Sequence, residues 1–197
     1  MATLFLPFTP KGKATELIAI EVKSELGLGP AACVDPYAIL PQVPARLVDD
    51  HELWEQSPAM AQVLFVDQAN HWSGIGYGKS SNDGYSLILL NPSHSLTRRR
   101  ATLMEEIVHI VRAHPKTAIL DGGNGATRSY DSHVEDEAYA VGAACILPYP
   151  EIFRAISDNH ETVEMLAHRF GVSTQYVEYR IKRAGLSAVY RKRCGLS

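Results

Sequence analysis

Five consecutive residues, Glu105, Glu106, Ile107, Val108 and His109, set two carboxylates and an imidazole at a spacing that can hold and use a metal ion. In the helical pattern His-Glu-x-x-His, the two histidines lie one turn apart and reach the same ion, while the glutamate between them polarises a water. Here the first position is Glu105. Glu106 keeps the base position and His109 the second ligand position. Glu105 and His109 share nearly one face of the helix, beside Ala101 and Val108, and Glu106 stands about 100 degrees round from Glu105. Adjacent glutamates are ordinary on solvated helices, so the pentapeptide needs a further partner to mean anything. Three outcomes stay open: a weakened zinc site, a site moved towards manganese or magnesium by its harder oxygen donors, or a scaffold that binds a partner without cutting it.

A catalytic zinc normally takes three protein ligands and leaves one position open, so a third ligand must come from another element. The acidic run Glu135, Asp136, Glu137 supplies candidates. Ser132 and Glu135 have capping-box spacing, which gives Glu135 a local role at a helix start. Glu137 falls on the side shared by Val134, Val141 and Ala144, and a carboxylate directed into a core requires a cation or hydrogen bonds. Glu137 is therefore the expected third ligand, and a pair with an arginine such as Arg128 is the alternative. Tyr130 and His133, just ahead of that helix, are candidate donors to a developing oxyanion, against the ordinary roles of packing or capping. His51-Glu52-Leu53-Trp54-Glu55 begins like the metal pattern but has no second histidine, and reads as surface helix or loop.

Several elements must position these groups. Lys13 to Leu26 has apolar residues at helical spacing and is followed by Gly27, a C-terminal stop. A short helix is expected at Asp35 to Leu40. Short runs at Gln62 to Asp67, Ser73 to Gly78 and Tyr85 to Leu90 read as strands, the last two flanking the turn signal Asn82-Asp83-Gly84. The glutamate-bearing helix ends at Pro115, a loop is expected through Asp121 to Gly125, and a further helix runs from Ser132 to Leu147. A boundary is placed at Pro148-Tyr149-Pro150, giving domains 1–150 and 151–197. Beyond it, Ala167, Gly171 and Val177 have the spacing of a helix-turn-helix, with Ser173 as N-cap of its second helix.

At 197 residues, 46% of them hydrophobic, the chain can bury a real core. No apolar run approaches a membrane span and the N-terminus lacks the order of a signal peptide, so a cytoplasmic protein with no membrane partner is expected. Cys33, Cys145 and Cys194 have no C-x-x-C spacing, which argues against a disulfide framework or a cysteine zinc site. The net charge of −3 conceals a basic end, where Arg169, Arg180, Lys182, Arg183, Arg191, Lys192 and Arg193 oppose Glu178 alone. Such an end can meet phosphate or an acidic protein surface, or simply keep a helix soluble. On a DNA-binding reading, Thr174, Gln175 and Tyr176 approach base edges while Arg180, Lys182 and the Arg191–Arg193 run meet phosphate.

Three separated blocks, LILLNPSHSLTRRRATLMEEIVHIV, EDEAYAVGAACILP and VEMLAHRFGVSTQYVEYRIKRAGL, resemble the ImmA/IrrE family of metallo-endopeptidases over about residues 13 to 186. The resemblance implies an α+β, zincin-like domain with a small sheet packed on helices, completed by a helix-turn-helix-like segment. It implies zinc as cofactor, or another divalent ion such as manganese, or none if the site is inactive. The implied metal ligands are Glu105, His109 and Glu137, the last as the glutamate before Ala138, with Glu106 as catalytic base; Tyr130 remains a candidate second catalytic group from its position alone. The implied partner is a helix-turn-helix repressor, cleaved or otherwise inactivated, so that transcription changes. Competing expectations are an inactive protease-fold regulator that binds a repressor or antitoxin-like protein, and direct DNA binding.

Overall fold

The computed structural model describes residues 5–79, 84–115, 119–122, 125–128 and 131–194. Helix α1 spans Pro10–Glu25: Thr9 accepts the Gly12 N–H as N-cap, and Pro10 occupies the position where a missing N–H costs nothing. The start lies three residues before the expected Lys13. Asp35 caps the short helix α2, Pro36–Ile39, through the Tyr37 N–H. Strand β1, Ala45–Val48, carries no strong alternation and was not expected. Helix α3, Asp50–Gln56, follows it, and helix α4, Pro58–Gln62, continues into a wider π-type turn over Val63–Asp67. The strand expected at Gln62 to Asp67 is thus helical. Pro58 starts the helix one turn upstream, and the Trp72 indole N–H donates to the Leu64 carbonyl at 2.7 Å, which ties the turn down.

Strands β2, Gly74–Lys79, and β3, Ser86–Leu90, form as expected. The sheet order is β1-β3-β2, with β1 parallel and β2 antiparallel to the central β3. Helix α5, Leu96–Val111, packs on this sheet. Strands β4, Ile119–Gly122, and β5, Gly125–Arg128, pair antiparallel where a loop was expected. Helix α6, Ser132–Ile146, is buried almost all round from Ala138 onwards because alanine, glycine and cysteine let neighbours approach from every side. It lies against α1 and α5.

Helices α7, Tyr149–Ser157, α8, Val163–Phe170, α9, Thr174–Arg183, and α10, Ser187–Cys194, complete the described chain. Gly171 ends α8 in the left-handed conformation at φ 63° and Ser173 caps α9, so the expected turn and N-cap are present. Residues on both sides of position 150 join one buried core, from Ala19, Met104 and Val141 to Ile152, Leu166 and Val177. A fully buried ion pair between Glu16 of α1 and Arg180 of α9 crosses that position. Arg180 Nε also donates to the Leu147 carbonyl at 2.9 Å, and Glu16 accepts the Tyr149 N–H at 2.9 Å. The α8–α9 pair is therefore built into the body. Tyr176 and Arg180 are buried, which removes both from the set expected to face DNA, while Thr174, Gln175 and Lys182 are exposed.

Candidate metal centre

Ser95 caps α5 through the Arg98 N–H, and Leu103, Met104, Ile107 and Val108 bury one face of the helix. Glu105, Glu106 and His109 are left half-buried on its flank. At the start of α6 the cap is Asp131, which accepts the His133 N–H at 2.9 Å. The capping role expected of Ser132 is thus filled one residue earlier, and Glu135 is not needed for it. Two turns further along the same stripe of α6 lies Gly142, where a Cβ would stand 3.4 Å from the Glu105 backbone nitrogen and 3.5 Å from the Met104 carbonyl carbon. The two helices pack in ordinary van der Waals contact here, and Glu135 faces α5.

One ligand atom each from Glu105, His109 and Glu135 lies within 4.8 Å of the others, the one such group among the described residues. His109 Nε2 is 3.5 Å from a Glu135 carboxylate oxygen. Glu137, expected as third ligand, is not brought to this point. Its carboxylate sits 3.2 Å from His114 Nε2 and 3.8 Å from Arg112 Nε, with 37% of the side chain exposed. Two residues along a helix is a rotation of about 200 degrees, and the two acids reach different groups of α5 and its C-terminal turn: Glu135 meets His109, Glu137 meets Arg112 and His114. Tyr130 lies outside the described residues; His133 is exposed in the first turn of α6. His51 pairs with Glu55 at 3.5 Å on exposed α3, and Glu52 binds Arg46, as a surface helix would have it.

The electrostatics of the three groups suit an ion. Burial, then the carboxylates of Glu106 and Glu135, pushes Glu105 up to about 8. Burial, then His114, lowers His109 to about 4. At neutral pH His109 is therefore uncharged, its contact with Glu135 is no ion pair, and its ring nitrogen is available as a ligand. A divalent cation would reverse the penalty on Glu105, since opposite charge favours the ionised carboxylate. Two carboxylate oxygens and one imidazole nitrogen form a donor set open to zinc or to harder ions.

These shifts make a stability prediction for the metal-free protein. Glu105, ordinarily near 4.5, holds its proton more tightly folded than unfolded, so stability falls as pH rises from there to about 8. His109, ordinarily near 6.5, acts oppositely, adding stability as pH rises from about 4 to 6.5. The two slopes offset one another up to pH 6.5, leaving the Glu105 loss above it. We expect urea unfolding to show stability falling by about 2 kcal/mol between pH 6.5 and 8, and Glu105→Gln to flatten that slope. An equal slope in the variant would refute the assignment.

Glu106 sits where β2 meets α5. Gly74 and Gly76 face that helix: a Cβ on Gly74 would come within 2.4 Å of the Thr102 methyl, and one on Gly76 within 2.6 Å of a Glu106 carboxylate oxygen. Side chains here would push Glu106 aside, and alternate glycines leave it room against the strand. Arg98 steadies the approach by donating to Ser73 Oγ at 2.8 Å. In the sheet β3 is central, and the edge beside Glu106 belongs to β2. Sequence reasoning also passed over Glu135 and His114. Glu135 was masked by its capping-box spacing, and His114 follows the end of the helix and carried no signal.

A small sheet whose edge strand lies beside a Glu-x-x-x-His helix, with a carboxylate added from a second helix, defines a metallopeptidase-like α+β fold compatible with the zincins. The IrrE N-terminal-like domain family, of M78 peptidase type, matches residues 64–182, more than half of the chain, and the chain belongs to that family. No curated protein matches it. Membership and the Glu-His-Glu cluster together point to a divalent metal at this site. Among the described residues, no helix is long and apolar enough to cross a membrane.

Proposed function

We propose that this chain is a cytoplasmic, metal-dependent endopeptidase that cleaves a helix-turn-helix repressor, with zinc held by Glu105, His109 and Glu135. The observation that carries the reading is the convergence of those three side chains beside Glu106 and a glycine-lined edge strand. A divalent cation there would supply Lewis-acid polarisation of a peptide carbonyl and make a water acidic enough to attack near neutral pH. Glu106 takes the proton of the attacking water and returns it to the leaving amine. The outer edge of β2 offers backbone groups to which an extended substrate adds as a strand, a mode that accepts varied sequences. Free cysteines at positions 33, 145 and 194 agree with a reducing compartment.

The direct test incubates the zinc-loaded protein with helix-turn-helix repressors of its own genome and reads fragments by mass spectrometry. Cleavage is expected, and Glu106→Gln is expected to reduce it by about 10²- to 10⁴-fold while metal content stays at the wild-type level. Cleavage undiminished in Glu106→Gln, or absent from wild type loaded with zinc or manganese, would overturn the enzymatic reading. One observation favours a second reading, a regulator that binds its repressor without cutting. The residue at the first ligand position is a buried carboxylate that keeps its proton at neutral pH. Co-purification of intact repressor with the metal-loaded protein would be its signature.

A further inference from the structure

Behind the proposed metal centre, on the side of His109 away from Glu135, lies a second chain of polar contacts. His109 Nδ1 is 3.1 Å from His114 Nδ1, and His114 Nε2 is 3.2 Å from Glu137 Oε1. The two rings meet edge to face at 80° with centroids 5.0 Å apart, and the His114 side chain is only 10% exposed.

The backbone explains how two histidines five residues apart come together. At the end of α5 the Ala113 N–H donates to the Ile110 carbonyl at 3.1 Å and the His114 N–H to the His109 carbonyl at 2.9 Å. This is the Schellman pattern, which folds the second residue beyond the cap back over the third-last helical residue. The residue in the left-handed position is Ala113, at φ 51°, where glycine is the usual occupant. An alanine held in that conformation shows that the surroundings enforce the turn. In most such turns the folded-back contact is apolar; here it joins two imidazoles.

We infer that His114, oriented by Glu137, is a positioning residue that fixes the tautomer and ring orientation of His109. This rests on the metal-centre reading above. With the Glu137 carboxylate oxygen as acceptor, the proton of that contact sits on His114 Nε2. His114 Nδ1 then presents a lone pair, and His109 Nδ1 donates to it. The proton of the His109 ring is held at Nδ1, and the Nε2 lone pair is aimed at Glu105 and Glu135. A ligand histidine with its second nitrogen anchored to an acceptor is better aligned than a free one. The same chain accounts for Glu137: it serves the site through two rings and does not touch the ion.

Long-range proton–nitrogen NMR of the nitrogen-15-labelled, metal-free protein at pH 8 reads the tautomer directly, and a zinc titration against a chromophoric chelator reads affinity. Wild type should show His109 protonated at Nδ1. His114→Leu, which supplies the apolar contact usual in such turns, should lose that preference and bind zinc about 10- to 100-fold more weakly. His114→Asn keeps an acceptor near the Nδ1 position and should restore both readouts to within a few-fold of wild type. Wild-type His109 protonated at Nε2, a His114→Leu variant with unchanged tautomer, or a shifted tautomer with unchanged zinc affinity would each overturn the inference. Glu105→Gln and Glu135→Gln separate the two claims. If both leave zinc affinity unchanged, the metal centre itself is wrong, whatever the tautomer of His109.

Discussion

Replacing Arg180 with methionine is expected to destabilise the protein by about 3–5 kcal/mol, a large part of the roughly 5–15 kcal/mol that holds a typical domain together. Arg180 and Glu16 are both fully buried, and removing the guanidinium leaves the Glu16 carboxylate without its cation in the core. The Leu147 carbonyl also loses the donor that Arg180 Nε supplies. Adding Glu16→Gln removes the stranded charge yet keeps an oxygen for the Tyr149 N–H. The double variant should therefore recover most of the loss. Urea unfolding of the two single variants and the double variant checks this. A single variant as stable as wild type would mean that the α8–α9 pair is not locked to α1 through this contact.

Glu105→His is expected to raise zinc affinity by about tenfold or more at pH 7. Glu105, at about 8, must surrender its proton before it can bind an ion, and one pH unit of that penalty is about 1.4 kcal/mol. A histidine in the same buried place is neutral at pH 7, as His109 is, and offers a nitrogen donor that zinc prefers to oxygen. Two readouts check the prediction. Zinc titration should show the tighter site, and calorimetry in buffers of different ionisation enthalpy should show wild type releasing about one proton more per zinc than the variant. If the variant binds no more tightly and releases as many protons as wild type, Glu105 does not ligate the ion. Repressor cleavage should rise with zinc occupancy, and a tight-binding variant that still fails to cut would favour the regulator that acts by binding alone.

Much of this site was legible in the residues because helical geometry is local. Four residues are one turn, so Glu105 and His109 had to share a face, and Glu106 had to stand beside them once α5 formed. Caps and turns were similarly readable, as at Ser173 and Gly171. The strand expected at Gln62 to Asp67 failed for a local reason too: a short apolar run reads the same in strand and helix, and the turn begun at Pro58 decided between them.

What the sequence determined by itself was the chemistry on offer and its order along the chain: a carboxylate in the first ligand position, a base, an imidazole, then a cluster of acids on a later helix. What only the tertiary structure decided was which acid joins the imidazole. That choice depends on how α6 is rotated against α5, which sets Glu135 beside His109 and Glu137 beside His114. An argument from apolar faces selected Glu137 because it assumed that the helix enters the core at that level, whereas burial of α6 begins only at Ala138. The same distinction separates the basic residues of the last helices. Their charge was plain from the sequence, but only packing across the whole fold showed that Arg180 is consumed by Glu16, 164 positions earlier, while Lys182 remains at the surface.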